Sequence, residues 1–577
     1  MIQQNPQHEN ANVPEKCSPW LLFAMPIGLG VGLGVIVSVI QSLQAVDTRS
    51  IYLGLDGMRL PLGVAFFSLI SATLAMLIIR PKFKTVAFFA AIFSLTGVAL
   101  VAAFRVDSFY GNMIPRLAWR WTPTAEQQVT VYMASKSLPK VSTVSEMFQA
   151  TAHDFPQFLG PQRDATISEV RLASNWNVSP PKVLWRHPVG IGWSSFAIVG
   201  RAAITLEQRG DSECVVCYNL LSGEEVWCHR EPSRFEDEHG DGPRSTPTIY
   251  GDRVICMGAN GLVTCLQLET GKLIWKQDTL ENSDADNLLW GMSGSPLVYD
   301  GQVVVTPGAG VGAAAKSFLL SSGKEVWRSG DDPAGYASLI EVEMCGERQL
   351  LSFNGAGLRS FAIDGTPLWL HPWLTQGESQ RVNVAQPVVV HDTAASRSAA
   401  AGNTASAVQK TTFVNSPSSQ QRKNEPARVL ISSGYDNGTA LLEVTRSGDE
   451  WNVREVWLSK QLKSKMSNFV VHENYIYGLD NGILTCIDLV DGQRKWKRGR
   501  YGHGQMLLVG AKLLIQAESG EIVLVAAKPD GHEELAKFNA LFSKTWNNLA
   551  LAGNILVVRN DREAAAFELP LEIVGAR

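Results

Sequence analysis

Along residues 246–276 the apolar positions fall into four short runs, "TPTIY", "RVICM", "LVTCLQL" and "KLIW". Turn signals separate them at Gly251-Asp252, Asn260-Gly261 and Thr270-Gly271. Runs this short, rich in Val, Ile and Thr and bounded by Gly, Asn and Asp, predict antiparallel strands joined by hairpins. The pattern then repeats. "NGLVTCLQLETGKLIWK" at 260–276 and "NGILTCIDLVDGQRKWK" at 481–497 align without a gap, sharing Asn, Gly, Thr, Cys, Leu, Gly, Trp and Lys at matching places. A match of this length is the mark of internal repetition.

The run ending in Gly and then Trp recurs as "LLSGEEVW", "LETGKLIW", "LSSGKEVW", "AIDGTPLW" and "LVDGQRKW", and "NVREVW" keeps only the tryptophan end. Between Trp227, Trp275, Trp327, Trp369, Trp457 and Trp496 the intervals are 48, 52, 42, 88 and 39 residues. The long interval contains residues 393–426, rich in Ala, Ser, Thr and Asn without apolar period, which read as a disordered insert inside one repeat. Four strands per unit, repeated, predict propeller blades. A seventh unit follows Trp496, with Phe538 expected at the tryptophan position. The last stretch holds only three strands. "PPKVLWRHPVG", carrying Trp185, has the missing one, so joining it to residues 546–569 closes an eighth blade and removes the exposed sheet edges of an open array. The seven tryptophans are expected to pack between blades.

The first hundred residues differ. Three apolar runs, 20–40, 60–79 and 85–104, contain no Asp, Glu, Lys or Arg, and each approaches the roughly 20 residues a helix needs to cross a bilayer core. The length of the first run, its lack of a basic leader and the two runs after it argue against a cleaved signal peptide. Arg80, Lys82 and Lys84 crowd the hinge between the second and third runs, whereas Asp47, Arg49, Asp56 and Arg59 balance in the first connector. Positive charge stays inside. The expected layout is a cytoplasmic tail (1–19), three transmembrane helices, a stalk (105–155), an extracytoplasmic propeller (156–570) and a short tail (571–577).

Composition adds little to this: 45% hydrophobic and 18% charged residues, with net charge −4, fit a chain that is part membrane and part globular. No basic stripe points to nucleic acid. The eight cysteines lie mostly in strand-like runs where a thiol packs as a small hydrophobe, and no disulfide framework shows. Cys214 and Cys217 resemble a metal or redox pair, but residues three apart on a strand face opposite sides, and Tyr218 stands where haem attachment needs His.

These strand endings in an eight-blade count resemble the pyrroloquinoline quinone (PQQ)-like repeat propellers, a WD40/YVTN-like group. It includes the quinoprotein alcohol dehydrogenases and the lipoprotein that helps assemble outer-membrane β-barrels. "DFPQFLGPQRDA" at 154–165 looks like the lead-in of many membrane-anchored bacterial members. The resemblance implies an all-β eight-bladed propeller of four-stranded antiparallel blades, here preceded by three transmembrane α-helices. In the enzymes it also implies adjacent cysteines over the quinone, a calcium ion and an Asp base. This chain has no adjacent cysteines, so no cofactor is expected, with PQQ and calcium as the alternative.

In a meandering blade the loops between blades leave on the same face as the loops joining strands two and three. Long polar interblade loops at 228–246, 276–295, 328–338 and 370–386 make that face the candidate site. They and their counterparts bring Trp193, Arg244, Trp290, Tyr336, Asn383, Lys465, His503 and Trp546 to the mouth. Such a ring of aromatics and cations can hold an anionic or aromatic ligand, or simply cap the channel. Glu236, Asp237, Asp241, Asp284 and Asp286 supply the oxygen chemistry calcium prefers, without EF-hand spacing. No nucleophile elbow, phosphate loop, H-E-x-x-H or C-x-x-C-H occurs. The expected role is a non-enzymatic scaffold in the bacterial inner membrane, with the propeller periplasmic, binding a protein or an envelope polymer. The alternative is a membrane-bound PQQ dehydrogenase acting on an alcohol or sugar.

Overall fold

The computed structural model describes residues 94–99, 101–109, 115–135, 144–237, 239–308, 312–375, 382–390 and 425–572. They divide into two units, one of Met1–Asp107 with Arg116–Trp121, the other of Ser108–Pro115 with Thr122–Arg577. The expected spans 20–40 and 60–79 lie outside the described residues, as does most of the insert 393–426. Of the third span, 94–99 and 101–103 are helical, and a strand begins at Phe104. Among the described residues no helix is long and apolar enough to cross a membrane. In the first unit Phe104 stacks on Trp119 at 4.1 Å.

The second unit is an eight-bladed propeller of four-stranded antiparallel blades. The first blade runs Ala197–Val199, Ala202–Arg209, Ser212–Asn219, Glu225–Pro232. Blades two to seven follow in chain order from Thr248 to Asn539. The eighth combines Ala550–Ala552, Ile555–Arg559 and Glu563–Glu568 with Lys182–Pro188 as its outermost strand, Trp185 opposite Ala566. The ring is therefore closed by pairing the two ends of the repeat region, and its buried sheet faces stack into the core.

The repeated phrase has a physical explanation in the contact between blades. In every blade the register between strands three and four shifts by one residue, as between Cys265 and Leu266 or Ser317 and Phe318. A bulge re-aims the side chain beside it, and in seven blades that side chain is the tryptophan. In five of the seven its ring lies against a glycine in the next blade's last hairpin: Trp185 on Gly223, Trp227 on Gly271, Trp275 on Gly323, Trp327 on Gly365 and Trp457 on Gly492. The indole N–H then donates to the carbonyl just before that hairpin, from Trp185 to Leu220 (2.8 Å), Trp227 to Leu268 (2.9 Å), Trp275 to Leu320 (2.8 Å) and Trp457 to Leu489 (3.1 Å). At Trp327 the Tyr299 hydroxyl takes the equivalent carbonyl, Ile363, at 2.6 Å.

The seventh blade departs from expectation. Its register puts Ala536 opposite Leu524, just before the shift, so Ala536 and not Phe538 occupies the tryptophan position. Phe538 lies two residues further on, against Phe567 at 4.8 Å and Trp176 at 5.5 Å. Phe538 thus packs between Trp176, which precedes the strand Lys182–Pro188, and Phe567 of the eighth blade.

The lead-in is also built into the ring. Phe155 pairs with Ile198, Ile249 N–H donates to Pro156 O, Arg163 donates to Ser295 O and Pro296 O at 2.9 Å, and Thr166–Ile167 pairs with Leu508–Val509. These partners are on or next to the innermost strands of blades one, two, three and seven, so the segment crosses the axial channel. Leu159, Arg163 and Ala165 hold φ of 60°, 56° and 62° there, a conformation that L-residues keep only when their surroundings enforce it. Before it, the helix Ala125–Ser135 opens with a capping box. Thr124 Oγ1 accepts from Gln127 N–H at 3.2 Å, and Gln127 Oε1 accepts from Thr124 N–H at 2.9 Å. This helix lies on the outer strand of blade eight, with Tyr132 stacked on His187 at 5.0 Å and Glu126 paired to Arg234 at 2.9 Å.

Candidate functional site

The mouth residues named from sequence come from successive interblade connections, and several of them meet, directly or through a neighbour, around the ring. Trp193, between blades eight and one, lies 5.1 Å from Trp546, between seven and eight. Lys544 Nζ sits 4.7 Å and 4.2 Å from those two rings and donates to His239 O at 2.5 Å. His239 meets Trp290 edge-on at 5.6 Å, and Trp290 lies 5.2 Å from Tyr336. Tyr336 N–H donates to Asn383 O at 2.8 Å. Across the mouth, Lys465 Nζ lies 5.2 Å from the Tyr435 ring. His503 N–H and Trp546 Nε1 donate to the two oxygens of Glu518, at 3.1 and 2.9 Å.

Most of these groups are committed to each other. Asn383 is fully buried, donates to Asn354 O and Trp373 O, and accepts from Ser433 Oγ at 2.7 Å. Arg244 donates to Gly240 O and Gly242 O, covers the Phe235 ring at 4.5 Å and lies 3.9 Å from Asp237. Burial pulls its guanidinium down to about 10, opposed by Asp237 and Asp241. Burial pushes the Tyr336 hydroxyl up to about 12 and pulls His503 down, with Glu518 opposing and Lys465 reinforcing the latter.

Three of the five acidic residues suggested for calcium are spent in the same way. Glu236 pairs with Arg234 at 2.7 Å, Asp241 accepts from Asp237 N–H at 3.1 Å, and Asp237 accepts from His239 N–H at 2.8 Å. Asp284 closes a single 3₁₀ turn with its N–H on Glu281 O, and Asp286 is exposed. Among the described residues no three His, Cys, Asp or Glu side chains are grouped to hold a metal ion. A quinone bearing carboxylates, together with its divalent cation, needs free cations and clustered oxygen ligands. Among the described residues the mouth carboxylates are not clustered, and the lead-in crosses the channel behind them.

Sequence reasoning missed Lys544, Glu518 and Tyr435. Lys544 had a signal, because it stands two residues before Trp546 and alternate residues of an extended chain share a side. It also missed Glu213, at the mouth end of the first blade's third strand. This carboxyl is buried, accepts from Ala259 N–H at 3.0 Å, and is pushed up to about 7 by burial against the pull of that N–H and of Arg244. Folding therefore holds a proton that the unfolded chain releases near its ordinary value of 4.5. The stabilisation is complete below the unfolded value and is lost as pH rises through about 7. Glu213→Gln is expected to remove roughly 2 kcal/mol of pH dependence between about pH 5 and pH 7. Urea midpoints measured across that range check it, and parallel curves for variant and parent would sink it.

Three exposed apolar side chains also stand on these loops: Leu289 (68% exposed), Leu374 (66%) and Phe542 (71%). Each belongs to a different interblade connection, so the fold gathers them on the mouth face.

The family described as outer membrane protein assembly factor BamB matches residues 211–498. No curated protein matches the chain. Similar solved structures include a quinohemoprotein alcohol dehydrogenase from Pseudomonas putida, 11% identical, TM-score 0.50, covering 77% of this chain and 85% of that one. BamB from Moraxella catarrhalis is 13% identical, TM-score 0.43, over 69% and 99% of the two chains. A quinohemoprotein alcohol dehydrogenase from Comamonas testosteroni is 10% identical, TM-score 0.48, over 78% and 85%. At these identities the likeness is one of fold.

Proposed function

Starting from a chain that carries the PQQ-like repeat and closes it into an eight-bladed propeller, we propose that it is a binding scaffold. In this reading the propeller docks a protein partner on its mouth face and carries out no redox step. The observation that carries it is the set of exposed side chains Leu289, Leu374 and Phe542 on the same face as the paired rings Trp193–Trp546 and Trp290–Tyr336. Exposed apolar groups beside immobilised aromatics, rimmed by charge, are what protein interfaces use. The match to a family described as an assembly factor supports a protein over a polymer as partner. The apolar runs 20–40, 60–79 and 85–104 support tethering in a bacterial inner membrane, and the Arg80, Lys82 and Lys84 hinge supports a periplasmic propeller.

The test is photocrosslinking in cells, with the probe placed in turn at positions 289, 374 and 542 of the full chain, and at Val490 on the opposite face. The expected result is one shared protein adduct from the three mouth positions and none from Val490. It should disappear when the other two mouth positions are changed to Asp, with the melting temperature unchanged. Reduction of a dye by the full chain with PQQ, calcium and an alcohol or sugar would replace the scaffold with the dehydrogenase reading. Adducts to glycan alone would replace the protein partner with an envelope polymer.

A further inference from the structure

Seven cysteines are described, all as free thiols, and two of them face each other. In the first blade Cys214 is on strand three and Cys228 on strand four, in a register that sets Val216 opposite Cys228 and Cys214 opposite Arg230. Both side chains thus leave the same face of the sheet, diagonally adjacent, with Cys214 Sγ donating to Ser212 O at 3.8 Å and Cys228 Sγ to His229 O at 3.9 Å. Cys217 points the other way, packing with Val215, Leu206 and Cys256 toward blade two, while Cys214 packs with Val216, Tyr218 and Trp185 toward blade eight.

The surroundings of the pair are asymmetric. Cys214 is fully buried, and Cys228 is partly exposed. Arg209 Nη1 lies 4.0 Å from Cys228 Sγ. That guanidinium is fixed by Glu207 and Glu225, each at 2.9 Å, and by Tyr218 Oη at 2.8 Å, so its charge stays beside the sulfur. We infer that Cys214 and Cys228 form a peroxide-responsive dithiol, with Cys228 the sulfur attacked first and Cys214 the sulfur that resolves it into a disulfide.

The direction follows from the charges. The Cys214 thiol, Arg209 and Arg230 hold Cys228 below the usual thiol range against burial and Glu225, whereas the contact with Cys228 and burial raise Cys214. A thiolate at a partly exposed, cationic position reacts first. The Cys228 thiolate attacks one oxygen of a hydroperoxide, the O–O bond breaks, and the S–O bond of a sulfenic acid forms as the other oxygen leaves and takes up a proton. Cys214 sulfur then attacks the sulfenic sulfur. The S–S bond forms, the S–O bond breaks, and the hydroxyl leaves as water with the Cys214 proton. Two electrons pass from the sulfurs to the peroxide. The product joins strands three and four of blade one beside the ring closure.

The test is peptide mapping of the full-length chain after one equivalent of hydrogen peroxide, with remaining thiols blocked by N-ethylmaleimide. Glutamyl endopeptidase cuts at Glu224 and Glu225 and so separates the two cysteines. The expected result is a linked peptide pair, retained in Cys217→Ser. In Cys214→Ser, dimedone should trap a sulfenic acid on Cys228, roughly tenfold faster than on any other cysteine. In Cys228→Ser the linkage should vanish. Complete maleimide labelling of Cys214 and Cys228 after peroxide, or sulfenic acid left unresolved on the parent Cys228, would overturn the inference. The parent map needs no substitution, so it decides the question even where Cys214→Ser does not fold.

Discussion

Arg559→Met should cost about 3–5 kcal/mol and be among the most damaging single changes in the propeller. Arg559 ends the second strand of blade eight, is completely buried, and reaches into blade one. It donates to Thr205 Oγ1 at 2.9 Å, Leu206 O at 2.8 Å and Gly190 O at 2.7 Å. Beside it Glu207, also fully buried, accepts from Gly190 N–H at 2.8 Å, Arg209 Nε at 2.9 Å and Tyr218 Oη at 2.7 Å. Burial alone would raise the Glu207 carboxyl; Arg209, Arg559, Tyr218 and the Gly190 N–H outweigh it and hold it below the usual range. Methionine fills similar volume but leaves three acceptors without donors and Glu207 with one cation. The loss falls at the closure, because the strands of residues 550–568 are far in sequence from blade one and meet it only there. Arg559→Lys should not recover it, since one ammonium cannot repeat the spread of a guanidinium. Urea midpoints of the full chain measure the effect, and a loss below about 1 kcal/mol would show that the Arg209–Glu207 pair holds the network without Arg559.

Gly271→Ala should cost about 3–4 kcal/mol, while Gly251→Ala, two strands earlier in the same blade and clear of any such contact, should cost about 1 kcal/mol. Both glycines are left-handed, at φ +65° and +58°, so the backbone penalty is shared. They differ in space. A Cβ at Gly271 would stand 2.4 Å from the Trp227 ring, and one at Gly251 meets nothing within 4 Å. The difference between the two variants therefore isolates the contact between blades one and two. Combining Gly271→Ala with Trp227→Leu should recover part of the loss, because the smaller side chain makes room, giving a coupling of about 1–2 kcal/mol in a double-mutant cycle. Equal costs at Gly251 and Gly271, or strictly additive changes, would remove the glycine from the docking role.

The fold was legible because its cause is local and repeated. Gly-Trp endings at near-constant intervals, Asn-Gly turns and alternating strands are all short-range features, and they imply four strands per blade and a strand borrowed from the start of the repeats. What failed was also local. Phe538 was expected at the tryptophan position of the seventh unit, but the bulge places Ala536 there, and where a bulge falls cannot be read without the partner strand. The glycines that receive the tryptophans were visible as letters in the repeat, yet their partner lies one blade away, so their purpose was not.

The site was legible as a location and less so as chemistry. Loop topology alone puts Trp193, Arg244, Trp290, Tyr336, Asn383, Lys465, His503 and Trp546 on one face. Whether a polar group there is available to a ligand depends on what it already touches. Asn383 is consumed by Asn354, Trp373 and Ser433, and Arg244 by two carbonyls of its own loop. Cys214 and Cys228 make the same point in reverse: the pair at 214 and 217 drew attention by spacing, whereas the pair that meets is separated by a hairpin.

By itself, then, the sequence determined the repeat, the strand count and the ring, because periodicity and turn chemistry act over a few residues and are written along the chain. Only the tertiary structure decided that the lead-in crosses the channel, that a buried arginine ties blade eight to blade one, and that two thiols share one face. Those outcomes depend on which surfaces meet when segments hundreds of residues apart are desolvated together, and burial and contact across such distances leave no period in the sequence to read.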